Sequence, residues 1–200
     1  MAGAGIFCIE TTQWSRRGKP QPSVRHLLRL IESIEGTPFI HRQFSTWEEL
    51  SFLLVQATSR RNSGFPFLYL ASHGTDCGLA AVHKQGGRPR TRSIDLSELA
   101  GPLRGRGAGR VLFLSACEMM RRRPAVLNRF LAETGFAALV GYGREVSWLE
   151  SAQLELGLLA WLCHGFDGRA SSLAPAIGRA AGMRDLMRRL DLRFAVRRAP

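Results

Sequence analysis

The chain reads as an α/β protein, a three-layer sandwich in which a mostly parallel sheet lies between two layers of helices. Two observations predict this. Short, continuously apolar segments recur along the sequence, as strands covered on both faces would be. Between them lie stretches with helical periodicity, so strand and helix alternate, and that alternation favours parallel pairing. A third observation fixes the number of units. The 200 residues contain no internal repeat and no linker rich in Pro, Ser or charge, so residues 1–200 read as one domain.

The elements follow in order. Gly5 to Glu10 is a short apolar run and a buried strand. Ser23 can cap a helix that carries Val24, Leu27, Leu28, Ile31 and Ile34 on one face and stops at Gly36. Pro38 to Phe44 is a second strand. Thr46 and Glu49 form a capping box ahead of Trp47, Leu50, Leu53, Leu54 and Ala57. Phe65 to Ala71 is a fully apolar strand. Regularity fades over Gly74 to Arg92, with a short strand at Leu79 to His83 and a loop at Gly86 to Pro89. Asp95 and Glu98 open a short helix that ends near Gly101-Pro102. Val111 to Ala116 is a second fully apolar strand. Pro124 starts a helix closed by Gly135, and Phe136 to Tyr142 is a further strand. Ser147 to Cys163 is a long, mostly buried helix. One or two helices and a last strand, Leu192 to Val196, complete the chain.

Composition bounds the function. The chain is 45% hydrophobic and 22% charged, which excludes wholesale disorder. No apolar run is long enough to span a bilayer, because Glu150, Gln153 and Glu155 interrupt the best stretch. The N-terminus has no charged n-region or signal-like apolar stretch, so a cytoplasmic location is expected. The net charge of +12 comes almost entirely from arginine, since Lys19 and Lys84 are the only lysines. Such a surface attracts anionic partners, but the basic residues are scattered and not striped with aromatics. Nucleic-acid binding is therefore an alternative, not the favoured reading. Cys8, Cys77, Cys117 and Cys163 are far apart and form no CxxC pair. No structural zinc site and no cofactor is expected, and the thiols are expected to be reduced.

Two of the apolar strands end in reactive residues. Phe67 to Ser72 runs into His73-Gly74, and Val111 to Ala116 runs into Cys117-Glu118. Sites in open α/β sheets gather beyond the carboxyl ends of strands. If the two strands are parallel neighbours, His73 and Cys117 emerge on one edge, where an imidazole can take the proton of a thiol nucleophile. The same imidazole can then protonate a leaving amine. Backbone N–H groups of Gly74 and Cys117 are the expected oxyanion donors.

Tyr69-Leu70-Ala71-Ser72-His73-Gly74 and Leu114-Ser115-Ala116-Cys117-Glu118 resemble the two signatures of the CHAT branch of caspase-like peptidases, in the caspase and separase clan. There, His-Gly ends one strand and Ser-Ala-Cys-Glu ends the next. Phe130 to Tyr142 is similar to the helix, turn and strand that follow the nucleophile in these proteins. The chain also resembles small bacterial proteins that consist of this domain alone. The resemblance covers roughly Ile6 to Cys163. It implies a caspase-like fold and a cysteine endopeptidase with a Cys117–His73 dyad. It also implies a bacterial setting of defence or regulated cell death, a protein substrate such as a gasdermin-like effector, and a separate activator or sensor.

The chain departs from true caspases, which carry Gln-Ala-Cys at the nucleophile. Ser115 stands in place of the glutamine that helps caspases hold a P1 aspartate, so aspartate specificity is not implied. Separase-like relatives cut after basic residues, using an acidic wall. Asp76 and Glu145 are candidate acidic wall residues, and Arg144 and Trp148 can line the pocket instead. Cys8 and Cys163 read as buried hydrophobes. His26, His41 and His164 have no evident partner. Besides the peptidase, a catalytically inactive interaction module with the same fold stays open as a reading.

Overall fold

The computed structural model describes residues 4–14, 22–75, 78–85, 88–165 and 180–197. In chain order the elements are β1 (Ile6–Thr11), α1 (Arg25–Glu35), β2 (Phe39–Phe44), α2 (Trp47–Ala57), β3 (Phe67–Ala71), β4 (Gly74–Thr75), β5 (Gly78–Gln85) and β6 (Arg88–Ile94). Then come α3 (Leu96–Leu103), β7 (Val111–Ser115), α4 (Pro124–Thr134), β8 (Ala138–Tyr142), α5 (Trp148–Gly165), α6 (Arg184–Arg189) and β9 (Leu192–Val196).

The main sheet has the order β2-β1-β3-β7-β8-β9. All of its pairings are parallel except β8 with β9, which is antiparallel. The fully apolar strands lie at its centre, and every residue of β1, β3, β7 and β8 is buried. Strand side chains alternate between faces, so each strand feeds two cores. Phe7, Leu68, Leu70, Leu112 and Leu114 pack with α2, α3 and α4 on one face. Ile6, Tyr69, Val111 and Phe113 pack with α1 and α5 on the other. This is the mostly parallel three-layer architecture of a caspase-like fold that the sequence predicts.

Local chemistry sets the helix ends. Thr46 and Glu49 form the expected reciprocal capping box of α2. Asp95 caps α3 by accepting from the Glu98 N–H. Gly36 and Gly135 terminate α1 and α4 with φ of 65° and 81°, where an L side chain would be strained.

The structure differs from the sequence reading in four places. Ser23 does not occupy the N-cap of α1. Its hydroxyl proton goes to Glu10, and Val24 stands at the cap. The buried stripe of α1 is narrower than expected, because Leu27 is only half-buried and Ile34 is 66% exposed. The irregular region after Gly74 is a small second sheet, β4-β5-β6. Finally, α3 runs through Pro102 to Leu103. Residues 166–179, where part of the expected helical stretch after Cys163 falls, lie outside the described residues. Among the described residues, no helix is long and apolar enough to cross a membrane.

Candidate active site

The register of β3 on β7 pairs Ala71 with Ser115 and so brings the two strand ends level. The Ser72 N–H donates to the Ser115 carbonyl at 3.1 Å, which carries the pairing one residue further. His73 and Cys117 follow on the same edge, and both line one cavity of about 300 Å³. Trp14, Pro22, Glu145, Val146 and Trp148 complete most of its wall.

Cys117 sits in a tight turn. Glu118 has φ of +60°, a left-handed conformation that a non-glycine residue adopts only where its surroundings enforce it. Here they do. The Glu118 N–H donates to the Arg144 carbonyl at 3.2 Å, and the Met120 N–H donates to the Tyr142 carbonyl at 2.9 Å. The turn is thus stitched to the exit of β8. The Cys117 thiol is half-buried and points its S–H to the Val146 carbonyl at 4.0 Å. Burial pushes the thiol up from its ordinary value, backbone hydrogen bonding at Val146 works against that, and the Glu145 and Glu118 carboxylates add to the rise. Cys117 therefore rests as a thiol, and a base is needed to ionise it.

His73 is exposed at the cavity mouth. Its Nε2–H donates to the Trp14 carbonyl at 3.3 Å, since a carbonyl can only accept. Its ring meets the Trp14 indole edge-on, with centroids 5.2 Å apart. Trp14 in turn meets Trp148 edge-on at 4.8 Å. This leaves Nδ1 of His73 as the unprotonated nitrogen. Gly74 follows, and its missing side chain has a clear reason. A Cβ there would overlap the Cys117 backbone, so the two proposed oxyanion residues are in direct backbone contact.

A second cavity of about 250 Å³ shares Pro22, Ser115, Trp148 and Ser151 with the first. Glu155 lines it and is 1% exposed. Trp148, Ser151, Ala152 and Glu155 fall on one face of α5, at the spacing a helix requires. Three hydroxyls converge on the Glu155 carboxylate. Tyr69 donates to Oε2 at 2.5 Å, while Ser115 and Tyr142 donate to Oε1 at 2.6 and 2.8 Å. Burial pushes the Glu155 carboxyl above the usual range, and the three donors offset only part of that.

The residues named from sequence distribute as follows. His73, Ser115, Cys117, Glu145 and Trp148 line the first cavity. Arg144 does not. Its guanidinium donates to the Arg189 carbonyl at 3.1 Å. Asp76 and Cys77 lie outside the described residues. Cys8 and Cys163 are buried in the core as expected, and burial raises the Cys163 thiol to about 12. Two of the histidines read as unpartnered have partners. His41 meets Glu10 at 2.6 Å and His164 meets Glu35 at 2.8 Å. Among the described residues, no group of three His, Cys, Asp or Glu side chains is arranged to hold a metal ion.

Sequence reasoning missed Trp14 and Glu155. Trp14 carries no periodic signal because it lies in an irregular segment. Glu155 had one: it falls one and two turns after Ser151 and Trp148 on a helix that is otherwise apolar on that side, where a lone carboxylate needs partners.

No protein-family model and no curated protein sequence matches the chain. Among solved structures, it is similar to a secreted C11 cysteine protease from Bacteroides thetaiotaomicron, seen in complex with an irreversible peptide inhibitor, with a TM-score of 0.52 at 10% identity. The likeness covers 90% of this chain and 59% of that one, so the chain spans less than two thirds of its neighbour's length. At that identity the likeness is one of fold, and the fold the two share is caspase-like.

Proposed function

We propose that the chain is a cysteine endopeptidase that uses Cys117 and His73. The observation that carries this reading is the single cavity lined by both residues at the ends of adjacent parallel strands. The fold neighbour, a cysteine protease, supports it. In the first step His73 Nδ1 takes the Cys117 proton, and the sulfur attacks the scissile carbonyl carbon. The oxyanion that forms faces the backbone of Gly74 and Cys117. His73 then gives its proton to the leaving amine as the C–N bond breaks. Water hydrolyses the thioester and restores the thiol.

The two cavities also suggest what is cut. Glu145 lines the first and Glu155 the second, and among the described residues no lysine or arginine lines either. A chain of net charge +12 with carboxylates in its cleft is suited to a basic P1 side chain, lysine or arginine. A role in bacterial defence, a gasdermin-like substrate and a separate activator are proposals that rest on the resemblance of the two motifs.

A peptide library digested by the protein tests the reading, with Cys117→Ala as control. The expected result is cleavage after Arg or Lys that disappears in the variant. Cleavage that persists in Cys117→Ala would overturn the assignment of the nucleophile.

A further inference from the structure

Glu10 is the one fully buried carboxylate outside the two cavities that gathers four donors among the described residues. It is the penultimate residue of β1 and pairs with Ala71 of β3, two residues before His73. Its Oε1 accepts from the Trp14 indole N–H and the Val24 N–H, each at 2.8 Å. Its Oε2 accepts from the Ser23 hydroxyl at 2.7 Å and meets His41 Nε2 at 2.6 Å. Burial alone would raise this carboxyl. The bonds from His41, Ser23, Val24 and Trp14 outweigh burial and hold it below the usual carboxylate range, so it is an anion.

Three of these partners lead to the site. Trp14 supplies the carbonyl that takes the His73 Nε2–H and the ring that lies against the imidazole. Ser23 and Val24 stand in the wall of the second cavity. Neither segment is fixed by sheet pairing. One charged group therefore anchors both the support of the base and one wall of the neighbouring pocket.

We infer that Glu10 is a positioning residue for the peptidase site, holding His73 in its working orientation through Trp14 and fixing the pocket wall at Ser23 and Val24. This rests on the proposed Cys117–His73 chemistry. Glu10 touches no reacting atom. It acts by denying the imidazole the ring rotations in which Nδ1 faces away from the thiol, and loss of such alignment costs rate more than affinity.

The chemistry of the site separates two substitutions. Glu10→Ala leaves the Trp14 indole, Ser23 and Val24 without their acceptor. Glu10→Gln keeps a carbonyl oxygen for Trp14 and Val24, while its amide can donate to the Ser23 oxygen and to His41 Nε2 in its other tautomer. Alanine should therefore free Trp14, and glutamine should hold it.

The test is the rate of Cys117 alkylation by iodoacetamide against pH, read on the Cys117 peptide by mass spectrometry so that other thiols do not contribute. Among the described residues, the titratable groups that bear on this rate are His73, Glu118 and Glu145. The profiles of wild type, His73→Ala, Glu10→Ala and Glu10→Gln are compared, with thermal melting to confirm the fold. The expected result is that Glu10→Ala moves most of the way to the His73→Ala profile and Glu10→Gln stays close to wild type. In peptide hydrolysis Glu10→Ala should lower kcat by about tenfold or more, with a smaller change in KM. A folded Glu10→Ala protein with the wild-type profile would overturn the inference. If Glu10→Ala does not fold, Trp14→Phe gives the same readout, since it keeps an aromatic ring but removes the indole N–H that Glu10 holds, and an unchanged profile there overturns the inference equally. If His73→Ala itself matches wild type, the proposed dyad fails and Glu10 has nothing to position, which is a distinct outcome.

Discussion

The Nε2–H of His73 donates to the backbone carbonyl of Trp14 at 3.3 Å, and this bond assigns the two ring nitrogens their roles. With Nε2 committed as a donor, Nδ1 is the nitrogen left to accept a proton in the proposed dyad. A backbone carbonyl does the orienting that a carboxylate does in other nucleophile–base pairs.

Cys117 rests as a thiol, and the sign of its pH dependence follows. Its ionisation is raised first by burial and then by Glu145 and Glu118. Alkylation of Cys117 should accelerate as pH rises beyond neutral. Glu145→Gln removes one of the raising charges, so the rise should begin at lower pH and the rate at neutral pH should increase. Stopped-flow or quenched alkylation of the two proteins from pH 6 to 10 checks this. A slower variant at neutral pH would contradict the electrostatic account.

Glu155 should control the P1 side chain. In Glu155→Gln the three hydroxyls can reorient around a neutral amide, so the fold should survive. Loss of a buried countercharge should cut kcat/KM for Arg and Lys peptides by about tenfold or more relative to apolar P1 peptides. Matched fluorogenic peptides differing only at P1 measure it. An unchanged ratio would mean that Glu155 serves only the core.

The same group makes a statement about stability. Its folded carboxyl binds a proton more tightly than in the unfolded chain. The stability it lends is therefore present below the unfolded carboxylate range and is lost as pH rises through the raised folded value. Melting curves should show wild type gaining on Glu155→Gln as the solution is acidified from neutrality. Glu10 has the opposite sign, because its folded carboxyl is depressed. Its contribution is present above the ordinary carboxylate range and is lost only as pH falls below it. Differential scanning of wild type against Glu10→Gln should therefore show the wild type losing ground only in strong acid.

Gly74→Ala should damage the site more than the fold. The new Cβ would lie on the Cys117 backbone, and the neighbour cannot yield as a flexible side chain can. Overpacking of this kind costs about 1–3 kcal/mol in stability. Displacing the Cys117 backbone should cost far more in turnover, because the nucleophile and its oxyanion donors move together. Chemical denaturation alongside peptide hydrolysis separates the two effects.

Much of this was legible in the sequence, for physical reasons that differ by residue. Strands β3 and β7 announced themselves because a strand covered on both faces leaves no room for alternation, and His73 and Cys117 stood out as the first reactive residues after them. Gly36 and Gly135 marked helix ends because left-handed backbone favours glycine. The hairpin β5–β6 was only half visible. The register sets Lys84 of β5 opposite Pro89 of β6, and the Gly86-Gly87 break hides the pairing. Trp14 and Glu10 were invisible for another reason. Their importance lies in contacts between segments distant in sequence, such as Trp14 with His73 or Glu10 with His41, and no local pattern encodes those.

One measurement bears on the whole account: labelling of the intact protein by a peptidyl acyloxymethyl ketone carrying arginine at P1, read by mass spectrometry. Its carboxylate leaving group is displaced from carbon slowly by an ordinary thiol and quickly by one aligned with a base beside a filled specificity pocket. The account predicts a single adduct on Cys117, absent from Cys117→Ala and slowed by about a hundredfold or more in His73→Ala. Labelling of wild type and His73→Ala at equal rates, or an adduct on a different cysteine, would contradict it.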